Sequence, residues 1–430
     1  MAEKFHFECI DCKAEYPGDK AIYLCPSCQA GNKAGQPPKG VLKTIYRYDK
    51  IRNMLGEGAL FDWLQNEGFL PLLPLRGMDS WPWLKVGDTP LYKVATRTGG
   101  QAHRRTRGQV TDDFELYLKD DSQNPTFSFK DRASALVSAW ARENDITTLV
   151  AASTGNAGSS LAGICASQGQ QAVIIVPAAA PLAKLTQVLM YGAVLIPIRG
   201  TYDDAFDLSV KMTGKYGWYN RNTAYNPLTI EGKKTVSFEL FRQLCHKIPD
   251  RIFIPVGDGV IYSGVCKGFE DMLKLGIIDR MPVAVAVQAG GSTNLISNLD
   301  RETFVSSPSA TIADSISVDI PRCFHMTANY IREYKGEVIS VSDQEIVQAS
   351  LQLSRSTGIF CEPAAAAAYA GMLKYRDSGL IPSGSKNVVL LTGSGLKDLQ
   401  AVQNSIHIPE PVEPDIASVE RVMDERHLIP

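Results

Sequence analysis

The sequence predicts an α/β protein whose parallel sheets are covered on both faces by helices, preceded by a short cysteine-rich head. Three observations carry this. After residue 115, short apolar and β-branched runs alternate with helix-period stretches, the order that builds parallel sheets buried between helices. Four of those runs end in loops rich in glycine, hydroxyl and amide residues. Four of the nine cysteines crowd into the first 28 residues as two CxxC pairs.

Composition narrows the function class. The chain has 430 residues, 44% hydrophobic and 21% charged, so it buries a core and is not disordered. That length suits two to three domains, or one large α/β unit with attachments. Lys and Arg number 44 against 46 Asp and Glu, a net charge of −2, and the basic field that a nucleic-acid binder needs is missing. The cluster His103, Arg104, Arg105, Thr106, Arg107 lies among Gly and Thr and reads as a solvated loop. The sequence has no apolar run of about 18 residues, so no membrane span is expected. The first residues, Met-Ala-Glu-Lys-Phe, are charged and carry no apolar leader, so a cytoplasmic protein is expected. Nine cysteines is an odd number, which fits reduced thiols better than a disulfide framework.

The elements follow in chain order. Cys9-x2-Cys12 and Cys25-x2-Cys28 have zinc-ribbon spacing, with four thiolates able to converge on one Zn²⁺. The dozen residues between the pairs read as a hairpin turning at Pro17-Gly18-Asp19. A segment this short has no core of its own, so bound metal would supply its folding energy; a set of unligated thiols is the alternative. Residues 29–40 are rich in Gly, Pro and Lys and read as a linker, so the zinc-ribbon-like segment spans 1–40. The other cysteines, Cys165, Cys245, Cys266, Cys323 and Cys361, read as small core residues. Between 41 and 115 the pattern is mixed, and residues 88–92 read as a turn entering a strand. Strands are predicted at 115–119, 148–152, 172–176, 194–198, 251–256, 283–288 and 387–391. Helices are predicted at 130–143, 159–168, 182–191, 202–216, 232–246, 263–275 and 362–376, and Ser342-x-x-Glu345 is a capping box that opens another. The Pro- and acid-rich tail from residue 408 is expected on the surface.

Ligands bind at the carboxyl ends of strands in such sheets, and four segments fall there. The first, 124–132, places Lys130 in the first turn of a helix, where the positive end of the helix dipole lowers an amine pKa and suits Schiff-base chemistry; a Lys-Asp-Arg helix start also serves as a solvated face. The second, Ser153, Thr154, Gly155, Asn156 and Ala157, forms a nest of backbone N–H groups suited to a carboxylate or phosphate, or a plain tight turn. The third, Gly257, Asp258, Gly259, Val260 and Ile261, is neither a P-loop nor a dinucleotide fingerprint. There Asp258 repels a phosphate unless its side chain turns away. The fourth is 390–398, where the Thr392 hydroxyl can bond a ring nitrogen without adding charge.

Together these segments resemble the tryptophan-synthase-β type of pyridoxal-phosphate (PLP) enzymes, and within it the threonine synthase family. The matching stretches are Asn-Pro-Thr-x-Ser-Phe-Lys-Asp-Arg at 124–132, Ser-Thr-Gly-Asn at 153–156, Asn226-Pro227 with Glu231-Gly232-Lys233-Lys234-Thr235, the stretch 358–364, and 391–398. The resemblance spans roughly 85 to 400, and a zinc-ribbon-like head occurs in some relatives. It implies two doubly wound, mostly parallel-sheet domains of PLP fold type II. The large one would take about 41–145 plus 220–410, with a smaller one inserted at about 146–219. It also implies that Lys130 binds the PLP aldehyde and moves the substrate's Cα proton. Phe129 would lie near the ring, Asn156 on the phenolic oxygen, and Thr392 at the ring nitrogen. Residues 257–261 would cradle the phosphate, residues 153–157 would take the substrate carboxylate, and Lys184 would meet an anionic leaving group, unless it is a surface helix residue. The family's expected assembly is a homodimer.

This chain departs from the family at three places. Phe127 stands where the family has Gly. The phosphate loop lacks two amide side chains of the family's Gly-Asn-x-Gly-Asn. The stretch 314–322 replaces an Arg-x-Gly-Asn-Pro-like segment. The leading expectation is an elimination/replacement lyase of the threonine-synthase type, turning O-phospho-L-homoserine and water into L-threonine and phosphate. The alternatives are PLP-dependent β-replacement or β-elimination on phosphoserine or a related amino acid (cysteate-synthase-like or ammonia-lyase-like), and a non-catalytic PLP- or amino-acid-binding regulator.

Overall fold

The computed structural model describes residues 4–54, 60–94, 113–180, 182–403 and 406–425. The basic cluster at 103–107 lies outside them. Among the described residues the strands form three sheets.

The head comes first. β1 (Phe5–Cys9), β2 (Glu15–Pro17) and β3 (Leu42–Tyr46) pair antiparallel in the order β2-β1-β3. Its hairpin turns at the first CxxC pair and not at 17–19. Cys9 N–H donates to the Ala14 carbonyl (2.9 Å) and Lys13 N–H to the Cys9 carbonyl (3.0 Å), with Lys13 at φ +62°. Gly18 still runs beside β1, where a Cβ would sit 2.7 Å from the Phe5 carbonyl oxygen, so this glycine marks close packing and not a reversal.

The later strands are β4 (Leu91–Val94), β5 (Glu115–Asp120), β6 (Thr148–Ala152), β7 (Gln171–Pro177), β8 (Val194–Ile198) and β9 (Tyr219–Asn220). They are followed by β10 (Arg251–Pro255), β11 (Val283–Ala289), β12 (Glu337–Val341) and β13 (Lys386–Leu391). One sheet runs β12-β11-β10-β13-β5-β4, parallel except at β4, and another runs β8-β7-β6-β9, all parallel. The larger sheet draws strands from both sides of the segment that builds the smaller one. Every strand predicted after residue 115 is present, with ends moved by at most one residue. β12 was not anticipated: four of its five residues are only half-buried, so it lacks the apolar signal of a central strand.

The helices Lys130–Glu143 and Tyr202–Tyr216 match their predicted bounds. The helix predicted at 232–246 is instead two, Leu228–Lys233 and Thr235–Gln243. Asn226 Oδ1 accepts the Leu228 N–H (2.9 Å) and starts the first early. Cys245 and His246 adopt φ of +55° and +60° and end the second. Gly232 lets the first lie hard against Lys130–Glu143, since a Cβ there would sit 2.8 Å from Ala133 Cα. The capping box at Ser342 is complete and opens Asp343–Thr357. Cys165, Cys266, Cys323 and Cys361 are buried as expected, but Cys245 is exposed in its turn. Among the described residues the tail is mostly exposed and carries a helix, Ile416–Glu425.

The head is locked to the larger body by one buried and two part-buried polar bonds. Tyr46 OH donates to Glu231 (2.6 Å), Lys43 Nζ to Glu270 (2.7 Å) and Tyr48 OH to Asp271 (2.6 Å). Glu270 and Asp271 belong to the helix Val260–Lys274, whose start reappears below. No helix among the described residues is long and apolar enough to cross a membrane.

Candidate active site

The carboxyl ends of β5, β6, β10 and β13 bring the four loops to one region. Asp120 caps a short turn, its carboxylate accepting the Ser122 N–H (3.2 Å). Phe127 follows at φ +67°, half-exposed, its N–H bonded to the Asn124 carbonyl (2.8 Å). The chain then pairs with the segment after β13: Phe129 N–H donates to the Thr392 carbonyl (2.8 Å), and Ser394 N–H to the Phe127 carbonyl (3.1 Å). This delivers Lys130 as the first residue of a 14-residue helix.

The Lys-Asp-Arg start is not a solvated face. The Asp131 carboxylate accepts the Thr126 N–H (2.7 Å), and Arg132 bridges Asp121 (2.6 Å) and Glu239 (2.8 Å), all with little or no exposure. These bonds hold the helix start rigid beneath the amine. Lys130 itself faces a cavity of 590 Å³ and makes no side-chain hydrogen bond or ion pair with the described residues. Burial lowers its pKa below the ordinary 10.5, Arg221 adds to the effect, and Glu362 and Asp258 oppose it.

The same cavity is lined by Ser153, Thr154, Gly155, Asn156 and Ala157 after β6, and by Gly257, Asp258, Gly259, Val260 and Ile261 after β10. The second of these loops forms the start of the helix Val260–Lys274, where first-turn N–H groups lack intrahelical acceptors. Gly259 sits at φ +86°, and a Cβ on Gly257 would lie 2.8 Å from Ile316 Cα. Asp258 turns toward the next wall: its carboxylate accepts the Arg322 N–H (3.1 Å). Burial raises its pKa, against the pull of Arg322 and of Lys233 and Lys130.

Asn156 donates to Glu362 (2.8 Å), a buried carboxylate whose Oε1 has no partner among the described residues. Burial raises the Glu362 pKa and Lys130 lowers it. Glu362 also lines a smaller neighbouring cavity of 270 Å³ with Lys397, which shares Thr154, Gly155 and Asn156 with the first. Phe129 and Thr392 line neither cavity. Phe129 is in the core with the Arg132 guanidinium 5.5 Å from its ring centre, and Thr392 is buried behind the Phe129 bond. Lys184 is carried by the helix Leu182–Met190, and its side chain lies outside the described residues.

Sequence reasoning missed Arg221 and Lys233, which both line the large cavity. Lys233 belongs to the Glu-Gly-Lys-Lys-Thr stretch, whose resemblance implies no role for it; Arg221 carries no local signal at all. Glu362 was legible as an acid before a helix-opening Pro363 but was given no role.

In the head, the sulfurs of Cys9, Cys12, Cys25 and Cys28 all lie within 4.8 Å of one another, with Cys9–Cys28 at 3.7 Å and Cys12–Cys25 at 3.6 Å. A tetrahedral site with Zn–S bonds of about 2.3 Å needs sulfur separations of about 3.8 Å.

Comparison with known proteins follows the same outline. Residues 83–393 match the family described as "Pyridoxal-phosphate dependent enzyme". The chain is 32% identical to threonine synthase of Methanocaldococcus jannaschii, over 97% of this chain and 99% of the other. It is 34% identical to threonine synthase of Methanosarcina acetivorans, over 96% and 98%. Among solved structures it resembles an O-ureido-L-serine synthase (TM-score 0.61, 18% identity, 76% of this chain and 95% of the other). It also resembles threonine deaminase isoform 2 of Solanum lycopersicum (TM-score 0.58, 22% identity, 74% and 80%).

Proposed function

The chain belongs to the pyridoxal-phosphate-dependent enzymes, and on that footing we propose that it converts O-phospho-L-homoserine and water to L-threonine and phosphate. The single observation that carries the proposal is the Lys130 amine, unpartnered among the described residues and facing one cavity with both loops. Its relatives named threonine synthase, matched end to end, support threonine as the product.

The residues present fit the cofactor. An aldehyde needs a free, readily deprotonated amine, and Lys130 is one. A phosphate needs convergent N–H donors with no Cβ in the way, and the 257–261 loop has a helix start with glycines where side chains would collide. Asn156 would hold the phenolic oxygen, while Thr392 and Phe129, which line neither cavity, brace the turn that carries Lys130 through the Phe129 N–H bond to the Thr392 carbonyl (2.8 Å). When bound, PLP acts as an electron sink for charge developed at the substrate Cα.

The protein's own residues do the rest. The 153–157 loop binds the substrate carboxylate through its N–H groups. The Lys130 amine, whose pKa burial lowers, takes the proton from Cα and returns it. Asp131 and Arg132, fixed by buried bonds, orient that amine. In this reading 41–145 with 220–410 form the large domain and 146–219 the smaller inserted one. Cytoplasmic location and homodimeric assembly belong to the same proposal.

A second reading, β-replacement or β-elimination on phosphoserine, draws on one observation: the cavity wall at 314–320 presents Asp314 and Asp319, where the resemblance expects an Arg-x-Gly-Asn-Pro-like segment. Assaying phosphate, keto acid and ammonia with phosphohomoserine and phosphoserine in parallel separates them. Phosphate release from phosphohomoserine with threonine formed supports the first; turnover of phosphoserine alone rejects it. We further propose that Cys9, Cys12, Cys25 and Cys28 bind one structural zinc ion, supported by their sulfur spacing.

A further inference from the structure

Two cations in the large cavity have no assigned work. Arg221 is fully buried; its N–H groups reach Ser134 Oγ (3.1 Å), Thr223 Oγ1 (2.9 Å) and the Lys130 carbonyl (3.4 Å), all neutral acceptors. It forms no ion pair with the described residues. Lys233 is 1% exposed and makes no side-chain hydrogen bond or ion pair with them. Buried charges in folded proteins are almost always paired, because an unpaired one carries a large desolvation cost. Elsewhere in this chain the rule holds: Arg132, Lys119, Lys234 and Lys267 each meet a carboxylate. Arg221 and Lys233 break it together, in one cavity.

Their placement points to the missing partner. A Cβ on Gly264 would lie 2.7 Å from Lys233 Cβ, so Lys233 lies against the first turns of the helix whose start is the 257–261 loop. Arg221 enters from the end of the smaller sheet, its N–H fixed to the Val150 carbonyl (2.8 Å). The carboxylate beside them, Asp258, is engaged by the Arg322 N–H. Two cations plus first-turn N–H groups suit a compact dianion.

We propose that Arg221 and Lys233, with the 257–261 loop, form a subsite for a phosphate monoester. This rests on the proposed function for its two sources: the 5′-phosphate of the cofactor, or the phosphate of substrate and product. Lys233 would replace the amide side chains that this loop lacks. Burial, with the charges of Lys130 and Arg221, holds the Lys233 amine well below the ordinary lysine range, so an arriving dianion would favour its protonated form.

The test uses the full chain. Lys233→Met and Arg221→Met should raise one phosphate-ester dissociation constant by about tenfold or more and leave binding of phosphate-free pyridoxal unchanged, while Lys233→Arg retains the wild-type value. A rise for PLP, read from its absorbance, identifies the cofactor as source. A rise in the inhibition constant for inorganic phosphate on the holoenzyme identifies the substrate side. No rise in either overturns the proposal. Should both variants misfold, acetylation of wild-type Lys233 read by mass spectrometry still decides: protection by PLP or by inorganic phosphate supports the subsite, and equal labelling throughout overturns it. Wild type that captures no PLP would sink the functional reading, yet protection by inorganic phosphate would remain readable.

Discussion

Replacing Gly259 by alanine tests whether the glycine loop is a built cradle or a plain turn. Gly259 stands at φ +86°. A methyl there would overlap Thr327 Oγ1 and lie 3.1 Å from Thr327 Cβ. That hydroxyl is not free to swing: it bonds the Gly259 carbonyl (3.1 Å), the Cys323 carbonyl (2.9 Å) and Ser263 Oγ (3.0 Å). Holding alanine in left-handed backbone costs about 1–2 kcal/mol. Each hydrogen bond lost by displacing Thr327 adds about 1 kcal/mol. With one or two lost, Gly259→Ala should destabilise by about 2–4 kcal/mol. Chemical denaturation of the wild type, Gly259→Ala, Thr327→Ala and the double variant measures this. The double variant should be less destabilised than the sum, because Thr327→Ala removes the obstructing oxygen. PLP affinity of Gly259→Ala should fall about tenfold or more. An alanine variant within about 0.5 kcal/mol of wild type, or strict additivity with Thr327→Ala, would refute the reasoning.

Further outcomes follow from other sites. Purified wild type should be yellow, and Lys130→Ala should lose the visible absorption band on PLP titration. Burial lowers the Lys130 pKa below 10.5, so the rate of PLP capture should rise with pH and level off below that value, measured by stopped-flow absorbance. Phe127→Gly relieves left-handed backbone of about 1–2 kcal/mol while giving up a half-exposed ring, so denaturation should show it neutral to slightly stabilising. Burial acts to raise the Asp271 pKa, but Lys234 and Lys267 outweigh it and lower it from 3.8 to about 2. Its contribution to stability is therefore present above pH 3.8 and lost as pH falls toward 2. Asp271→Asn should cost about 3–5 kcal/mol at neutral pH by denaturant titration. Cys12→Ser should abolish stoichiometric zinc, read by elemental analysis of the purified chain.

Much of the fold was legible because its signals are local. β6 and β8 match residue for residue, being short apolar runs bounded by turn residues, Asn144-Asp145 before β6 and Gly192 before β8. The helix Tyr202–Tyr216 has a complete capping box at Thr201 and a left-handed Gly217 at its end. The break at Lys234 was not legible, since Gly232 is there for contact with another helix and not as a stop. The hairpin in the head was misplaced for the same reason: Gly18 answers to Phe5 across the sheet. At the site, the loops announced themselves through glycine and hydroxyl clusters. Arg221 and Lys233 did not, because lacking a counter-charge is a property of the folded neighbourhood and leaves no mark in the string.

The bonds that join Tyr46, Lys43 and Tyr48 to Glu231, Glu270 and Asp271 set a limit on how this enzyme can be shortened. Excising the first fifty residues would take one donor from each of three internal acids, leaving Glu231 and Asp271 to Lys234 and Lys267, and Glu270 to Tyr330, Tyr334 and Lys274. A trimmed catalytic core would thus inherit weakened acids in the last turns of the helix Val260–Lys274, at the opposite end from its 257–261 start, and grafting the head of a distant relative would demand matched acids beneath it.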